Sequence, residues 1–80
     1  GRTNGSLILM LNGENVATFD KGSVRIEVKN GDVIEIDGSN VEREETVKVL
    51  SCSSNLDKKL IGKSIKVKSE IKYFLKISLQ

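Results

Sequence analysis

Apolar and charged residues alternate on both sides of an Asn-Gly pair in residues 24–37, which read VRIEVKNGDVIEID. A period of two residues places one face of a β-strand against a core and the other face in water. Asn30 and Gly31, between the two runs, supply the positive φ that a tight turn requires. The segment therefore predicts a β-hairpin.

The burial pattern also selects a register for this hairpin. A two-residue loop would set Ile26 opposite Glu35 and mix the two faces. A three-residue loop made of residues 29–31, with its glycine left-handed as a bulge residue, sets Ile26 opposite Ile34. It also places Arg25 opposite Glu35 on the outer face. We expect the second register.

The rest of the chain reads as short strands separated by Gly, Asn, Ser and Asp, and it contains no proline. The Asn12-Gly13 pair predicts a two-residue turn that sets Leu9 opposite Val16. Residues 55–61 could form one helical turn, so helix content should be near zero. The other predicted strands are residues 7–11, 16–19, 46–51, 64–68 and 71–79. The predicted core is Leu7, Leu9, Val16, Val24, Ile26, Ile34, Ile36, Val47, Val49, Ile65, Val67, Ile71, Tyr73, Leu75 and Ile77.

Short strands at spacings near ten residues define the expected fold class. Eighty residues make one domain at most. We expect an all-β fold, a single small antiparallel β-sandwich of about seven short strands. A small Greek-key or open barrel is the alternative.

The chain starts at Gly1 and not at methionine, which indicates a processed product or part of a longer protein. Residues 1–5 read as a flexible lead-in, and residues 6–80 read as one β-domain. No apolar run approaches the roughly 18 residues of a membrane span, so we expect no span within this chain. We favour an extracytoplasmic location over a cytoplasmic one, with a membrane anchor upstream of Gly1 as one form of it.

No pattern in the sequence points to catalysis, to a metal or to a cofactor. Histidine is absent and Cys52 is the single cysteine, so a Cys-His pair, an internal disulfide and a four-cysteine zinc site are excluded. The acidic cluster of residues 42–45 lacks the alternating Asp/Asn and Gly of a calcium loop. We therefore expect a protein that is not an enzyme and that has no catalytic residue, no metal site and no cofactor.

Charge divides unevenly along the chain. Residues 57–80 hold seven lysines against Asp57 and Glu70, a balance of +5. Residues 1–56 hold six basic and nine acidic side chains, a balance of −3. The chain is therefore electrically polarised in sequence.

A strand over residues 71–79 with Ile71, Tyr73 and Leu75 inward would place Phe74 between lysines on its outer face. An exposed aromatic ring among lysines is an arrangement that binders of single-stranded nucleic acid use, because the ring stacks on a base while ammonium groups meet phosphates. Lysines on sheet faces also serve solubility and need no ligand. The candidate polyanion-binding residues are Lys66, Lys68, Lys72, Phe74 and Lys76.

The string formed by residues 11–16, LNGENV, followed by the hairpin and by Ile36-Asp37-Gly38, resembles the openings of small extracytoplasmic bacterial β-modules. NusG domain II-like modules share a similar turn, and the resemblance covers residues 9–49. Those modules carry further cysteines and a Cys-Leu-Pro segment, whereas this chain has only Cys52 and no proline. The resemblance implies a β-fold and carries no function across.

The sequence thus favours a non-enzymatic accessory or interaction module of a larger, surface-anchored bacterial protein. Its partner would be another protein or an adjoining domain of the same chain. The alternative is a small barrel that binds nucleic acid or another polyanion through its lysine-rich face. Binding to single-stranded oligonucleotides that falls steeply with salt would favour the alternative.

Overall fold

The computed structural model describes residues 6–19, 22–53 and 55–78. In it the chain folds into two antiparallel sheets. The expected all-β sandwich is confirmed, with six strands in the described ranges. The predicted lead-in, residues 1–5, lies outside the described residues. The strands are β1 (Ile8–Leu11), β2 (Glu14–Thr18), β3 (Val33–Asp37), β4 (Glu45–Lys48), β5 (Ser64–Val67) and β6 (Ile71–Lys76), and a 3₁₀ turn covers Lys58–Leu60.

The larger sheet has the strand order β2-β1-β3-β6, and the smaller one is a β4-β5 ribbon. Their inner faces share one core, in which Ile36 of β3 and Val67 of β5 are fully buried. Strand β3 is central because β1 and β6 pair with its two edges. The two apolar residues on the inner side of β3, Ile34 and Ile36, are both buried.

The predicted two-residue turn at Asn12-Gly13 is confirmed. Both residues have positive φ, 52° and 86°, which is the type I′ geometry that suits the twist of a hairpin. The predicted pairing of Leu9 with Val16 is wrong, because the register shifts and Leu9 pairs with Ala17. Val16 is the extra residue of this bulge and is 46% exposed, so its predicted place in the core is also wrong.

The predicted hairpin over residues 24–37 is wrong, and with it the pairing of Ile26 with Ile34. Residues 23–29 form no strand, and Ile34 instead pairs with Leu11 on one side and Leu75 on the other. The alternation still tells which side chains turn inward, since Val24, Ile26 and Val28 pack against the core. Alternation specifies a face and not a partner, so it could not reveal which strands bond to β3.

Strand β6 carries a second bulge, which reverses its predicted facing. Glu35 pairs with Tyr73 while Ile34 pairs with Leu75, so Phe74 is the extra residue. Leu75 and Ile77 are buried as predicted, but Ile71 is 52% and Tyr73 is 58% exposed, so their predicted burial is wrong. Phe74, predicted to face outward, packs against the core.

Three buried residues come from irregular segments that show no strand pattern. Val41 follows the turn after β3, Leu56 lies just before the 3₁₀ turn, and Leu60 is the last residue of that turn. At the first of these turns the backbone N–H of Gly38 donates to the carbonyl of Glu70 at 2.7 Å, and Ser69 donates to the carbonyl of Val41. These bonds join the end of β3 to the β5–β6 connection, so the loops close the core at this end.

Candidate interaction surfaces

The outer side of the four-stranded sheet carries five apolar side chains on three of its strands. Directly opposite residues on neighbouring strands project from the same face. Ile8 aligns with Asp37 and Ile71 in one row, Met10 aligns with Glu35 and Tyr73 in the next, and Val33 aligns with Lys76 in the third. We call these eight residues the outer apolar face.

The five apolar members of this face, Ile8, Met10, Val33, Ile71 and Tyr73, belong neither to the buried core nor to the side chains packed on it. Ile71 and Tyr73 are more than half exposed, and the other three are half-buried by their sheet neighbours. The three strands, about 4.8 Å apart, give a face about 14 Å wide and about 17 Å long. A contiguous apolar patch on a small protein commonly marks a contact surface.

Glu35 lies near the centre of the outer apolar face. It is half-buried between Met10 and Tyr73, and among the described residues its carboxylate has no hydrogen bond or ion pair. The neighbouring carboxylate of Asp37 is already engaged, because its Oδ1 accepts from the backbone N–H and the hydroxyl of Ser39 at 2.9 and 2.6 Å. Glu35 therefore offers an open carboxylate between apolar side chains, whereas one oxygen of Asp37 is already occupied.

The structure does not bring the predicted lysine face together. Lys66 lies on the outer side of the β4-β5 ribbon, whereas Lys76 lies on the outer side of the four-stranded sheet. The two sheets pack through their inner faces, so these lysines point away from each other. Lys68 is exposed just after β5.

The two remaining candidates of that set turn toward the molecule. Lys72 lies opposite Ile36 on the inner side of the sheet, and its Nζ donates to the carbonyl of Lys66 at 2.9 Å. The same Nζ lies 3.8 Å from Oε2 of Glu70. Since Phe74 is half-buried against the core, its interpretation as an exposed stacking ring between lysines is wrong.

A smaller basic area remains on the ribbon. Thr46 pairs with Lys66 and Lys48 pairs with Ser64, so the two lysines lie diagonally on one exposed face. The Nζ of Lys66 lies 4.0 Å from Oε1 of Glu44, and both side chains are well exposed. Such an ion pair is weak, because water screens it and both side chains lose freedom when they pair.

Asp32 is the buried carboxylate of the described residues, with only 7% of its surface exposed. Its Oδ1 accepts from the Asn12 side chain at 2.9 Å, and its Oδ2 accepts from the backbone N–H of Lys29 at 2.7 Å. Asn12 in turn accepts from the backbone N–H of Val33 through its Oδ1. Both carboxylate oxygens are occupied, so Asp32 clamps the two Asn-Gly turns together and is not a free acid or base.

These bonds make stability depend on pH. The hydrogen bond from Asn12, followed by that from the backbone of Lys29, holds the pKa of Asp32 below its ordinary value. A depressed folded-state pKa adds stability that is fully present above the unfolded value of about 3.9 and is lost as the pH falls toward the folded value. We expect Asp32→Asn to reduce the fall in the free energy of unfolding at low pH, measured by urea unfolding from pH 2 to 7. Asn12→Ala should also reduce this fall. An unchanged fall in both variants would contradict the clamp.

Other chemical candidates are small or occupied. Cys52 is half-buried against the core. Among the described residues no group of His, Cys, Asp and Glu side chains could hold a metal. An open hollow of about 190 Å³ is lined by Leu7, Phe19, Val41, Ser6 and Glu45, and it is smaller than the roughly 300 Å³ at which small-molecule sites begin.

Comparison with models of known families, with curated proteins and with solved structures finds no match to this chain. In the described ranges, no helix has the length and apolar content needed to cross a membrane.

The sequence contains a signal for the outer apolar face that alternation alone misses. Residues 7–11 read LILML, an unbroken apolar run with no polar member. A half-buried strand of an antiparallel sheet ordinarily alternates, so an unbroken run indicates apolar residues on both faces. Ile8 and Met10 are the outward members of this run.

Proposed function

We propose that this domain is a non-enzymatic interaction module and that the outer apolar face is its contact surface. The observation that carries the proposal is the cluster of five apolar side chains on the solvent side of the four-stranded sheet. Burying such a face against a partner is favourable by roughly 25 cal/mol per Å² of apolar surface. Tyr73 fits the role well, because aromatic residues are enriched in the energetic centres of interfaces.

The setting expected from the sequence completes this proposal. The module would be an accessory part of a larger, surface-anchored bacterial protein, and the partner would be another protein or an adjoining domain. The small size of the face supports an internal partner, because a tethered partner has a high effective concentration and needs less intrinsic affinity.

Selection from a random peptide library tests the contact surface. Binders should be selected against the whole domain and then titrated into the ¹⁵N-labelled protein. We expect the largest amide shifts in β1, β3 and β6, and we expect Tyr73→Ser to weaken binding about tenfold, since a central aromatic residue contributes about 1.4 kcal/mol or more. Leu50→Ser is the matched control, because Leu50 is 73% exposed and lies outside the face. Shifts confined to the β4-β5 ribbon would contradict the proposal.

The second candidate function is binding of nucleic acid or another polyanion. One observation favours it, which is the diagonal pair of Lys48 and Lys66 on the exposed side of the ribbon, with Lys68 following. This version of the candidate leaves out Phe74 and Lys76, which point elsewhere. It requires affinity for a single-stranded oligonucleotide that falls steeply with rising salt.

A further inference from the structure

The outer apolar face has the dimensions of one short helix. Its length of about 17 Å equals that of an α-helix of about 11 residues at 1.5 Å per residue. Its area in projection is about 240 Å², which one such helix, about 10–12 Å across, largely covers. A second copy of the domain packed face to face would bring the central Glu35 carboxylates of the two copies toward each other, which like charges disfavour.

The need to pair its backbone N–H and C=O groups limits the secondary structure that an occupant of this face can have. A strand laid on a sheet face would leave its own N–H and C=O groups unpaired, because the strands beneath it already bond to one another. A helix pairs these groups internally and presents one apolar stripe. Helices packed on sheet faces are accordingly a standard two-layer arrangement.

The charged residues of the face limit which side chains the covering helix can carry. Covering the face with a purely apolar stripe would bury the carboxylate of Glu35, which has no partner among the described residues, and such burial is costly. A lysine or arginine on the covering helix would pair with this carboxylate between Met10 and Tyr73. Lys76 lies at the far end of the face, opposite Val33, so it leaves this position open to a cation.

We propose that the outer apolar face binds an amphipathic α-helix of about three turns that carries a basic residue opposite Glu35. This inference rests on the proposed interaction function and adds the class of partner. The helix would belong to an adjoining segment of the same protein, because tethering raises its effective concentration at this small face. The recognised chemistry is an apolar stripe with one cation in register with Glu35.

Two designed peptides test the inference. One is a 14-residue acetylated and amidated helix of Leu, Ala and Lys, with leucines in one stripe and a lysine between them. The other has glutamate in place of every lysine. The domain carries a net charge of +2, so unspecific attraction would favour the glutamate peptide, and a preference for lysine would reflect the local site.

We expect the lysine peptide to shift amides of β1, β3 and β6, to gain helicity on binding and to bind at least tenfold more tightly than the glutamate peptide. Glu35→Gln should weaken its binding about fivefold. Glu27→Gln is the matched control and should change it less than twofold, because Glu27 is exposed on the segment whose apolar side chains pack against the core.

The outcomes separate the inference from the proposed function. Equal binding of both peptides to the face, or an unchanged affinity in Glu35→Gln, would overturn the basic helix while leaving the face as a contact surface. Library binders that lie on the face as extended peptides would also overturn the basic helix and leave the face as a contact surface. Concentration-dependent self-association that Tyr73→Ser abolishes would assign the face to a second copy and would also overturn the helix. Failure of the proposed function would appear as the absence of every library binder from this face.

Discussion

Replacing Gly38 by alanine is expected to lower the free energy of unfolding by about 3 kcal/mol, the upper end of the usual cost of overpacking. A Cβ at this position would overlap Cγ1 of Val67 and would lie 3.3 Å from the carbonyl oxygen of Glu70 and from Cδ2 of Leu7. Val67 is fully buried, and its branched side chain has few rotamers in which to withdraw. The hydrogen bond from Gly38 to Glu70 at 2.7 Å also holds the backbone in place, so the methyl group cannot be accommodated by a small shift.

Urea unfolding followed by far-UV circular dichroism measures this loss. Asn40→Ala is the control, because Asn40 is exposed in the same turn and its replacement should change stability by less than about 0.5 kcal/mol. In the double variant Gly38→Ala/Val67→Ala the overlap is removed, so its loss should be smaller than the sum of the two single losses. A Gly38→Ala protein as stable as the parent would show that the two sheets do not approach each other this closely.

The sequence predicts the β class of the fold because strand signals are local. Alternation and the Asn-Gly pairs each involve neighbouring residues, and the Asn12-Gly13 turn, β5 and β6 follow from them. The partners of β3 do not follow, because pairing depends on competition among distant segments for the same backbone groups. Residues 23–29 have as regular a pattern as β3 has, yet β1 and β6 occupy both edges of β3.

The candidate surfaces could not be predicted from the sequence for a related reason. A bulge inserts one residue and reverses the facing of every residue beyond it. At Phe74 this reversal turns Tyr73 and Ile71 from the predicted core to solvent, and it turns Lys72 from the predicted outer face toward the inner side. Nothing in the local pattern IKYFLKI marks the bulge, which depends on how β6 aligns with β3. A single inserted residue thus converts an expected basic face into an apolar one.

A matched pair of isoleucines on neighbouring rows tests this reversal directly. Ile36 is fully buried on β3, whereas Ile71 of β6 pairs with the next residue, Asp37, and is 52% exposed. Truncating a buried isoleucine removes transfer free energy and leaves a cavity, so Ile36→Ala should cost about 4 kcal/mol. Ile71→Ala should cost less than about 1 kcal/mol, since it changes only strand propensity and partial burial. Chemical denaturation of both variants and of the parent measures the two losses in the free energy of unfolding.

A domain of this length holds roughly 4–12 kcal/mol of stability, so Ile36→Ala could leave too little folded protein to measure. Ile36→Val and Ile71→Val then serve in its place, with expected losses of about 1 kcal/mol and close to zero. Equal losses at the two positions would mean that Ile71 is buried, that β6 runs without a bulge and that Phe74 faces outward among lysines. The same measurement therefore decides between the apolar face and the lysine face, because one inserted residue determines which side of β6 meets solvent.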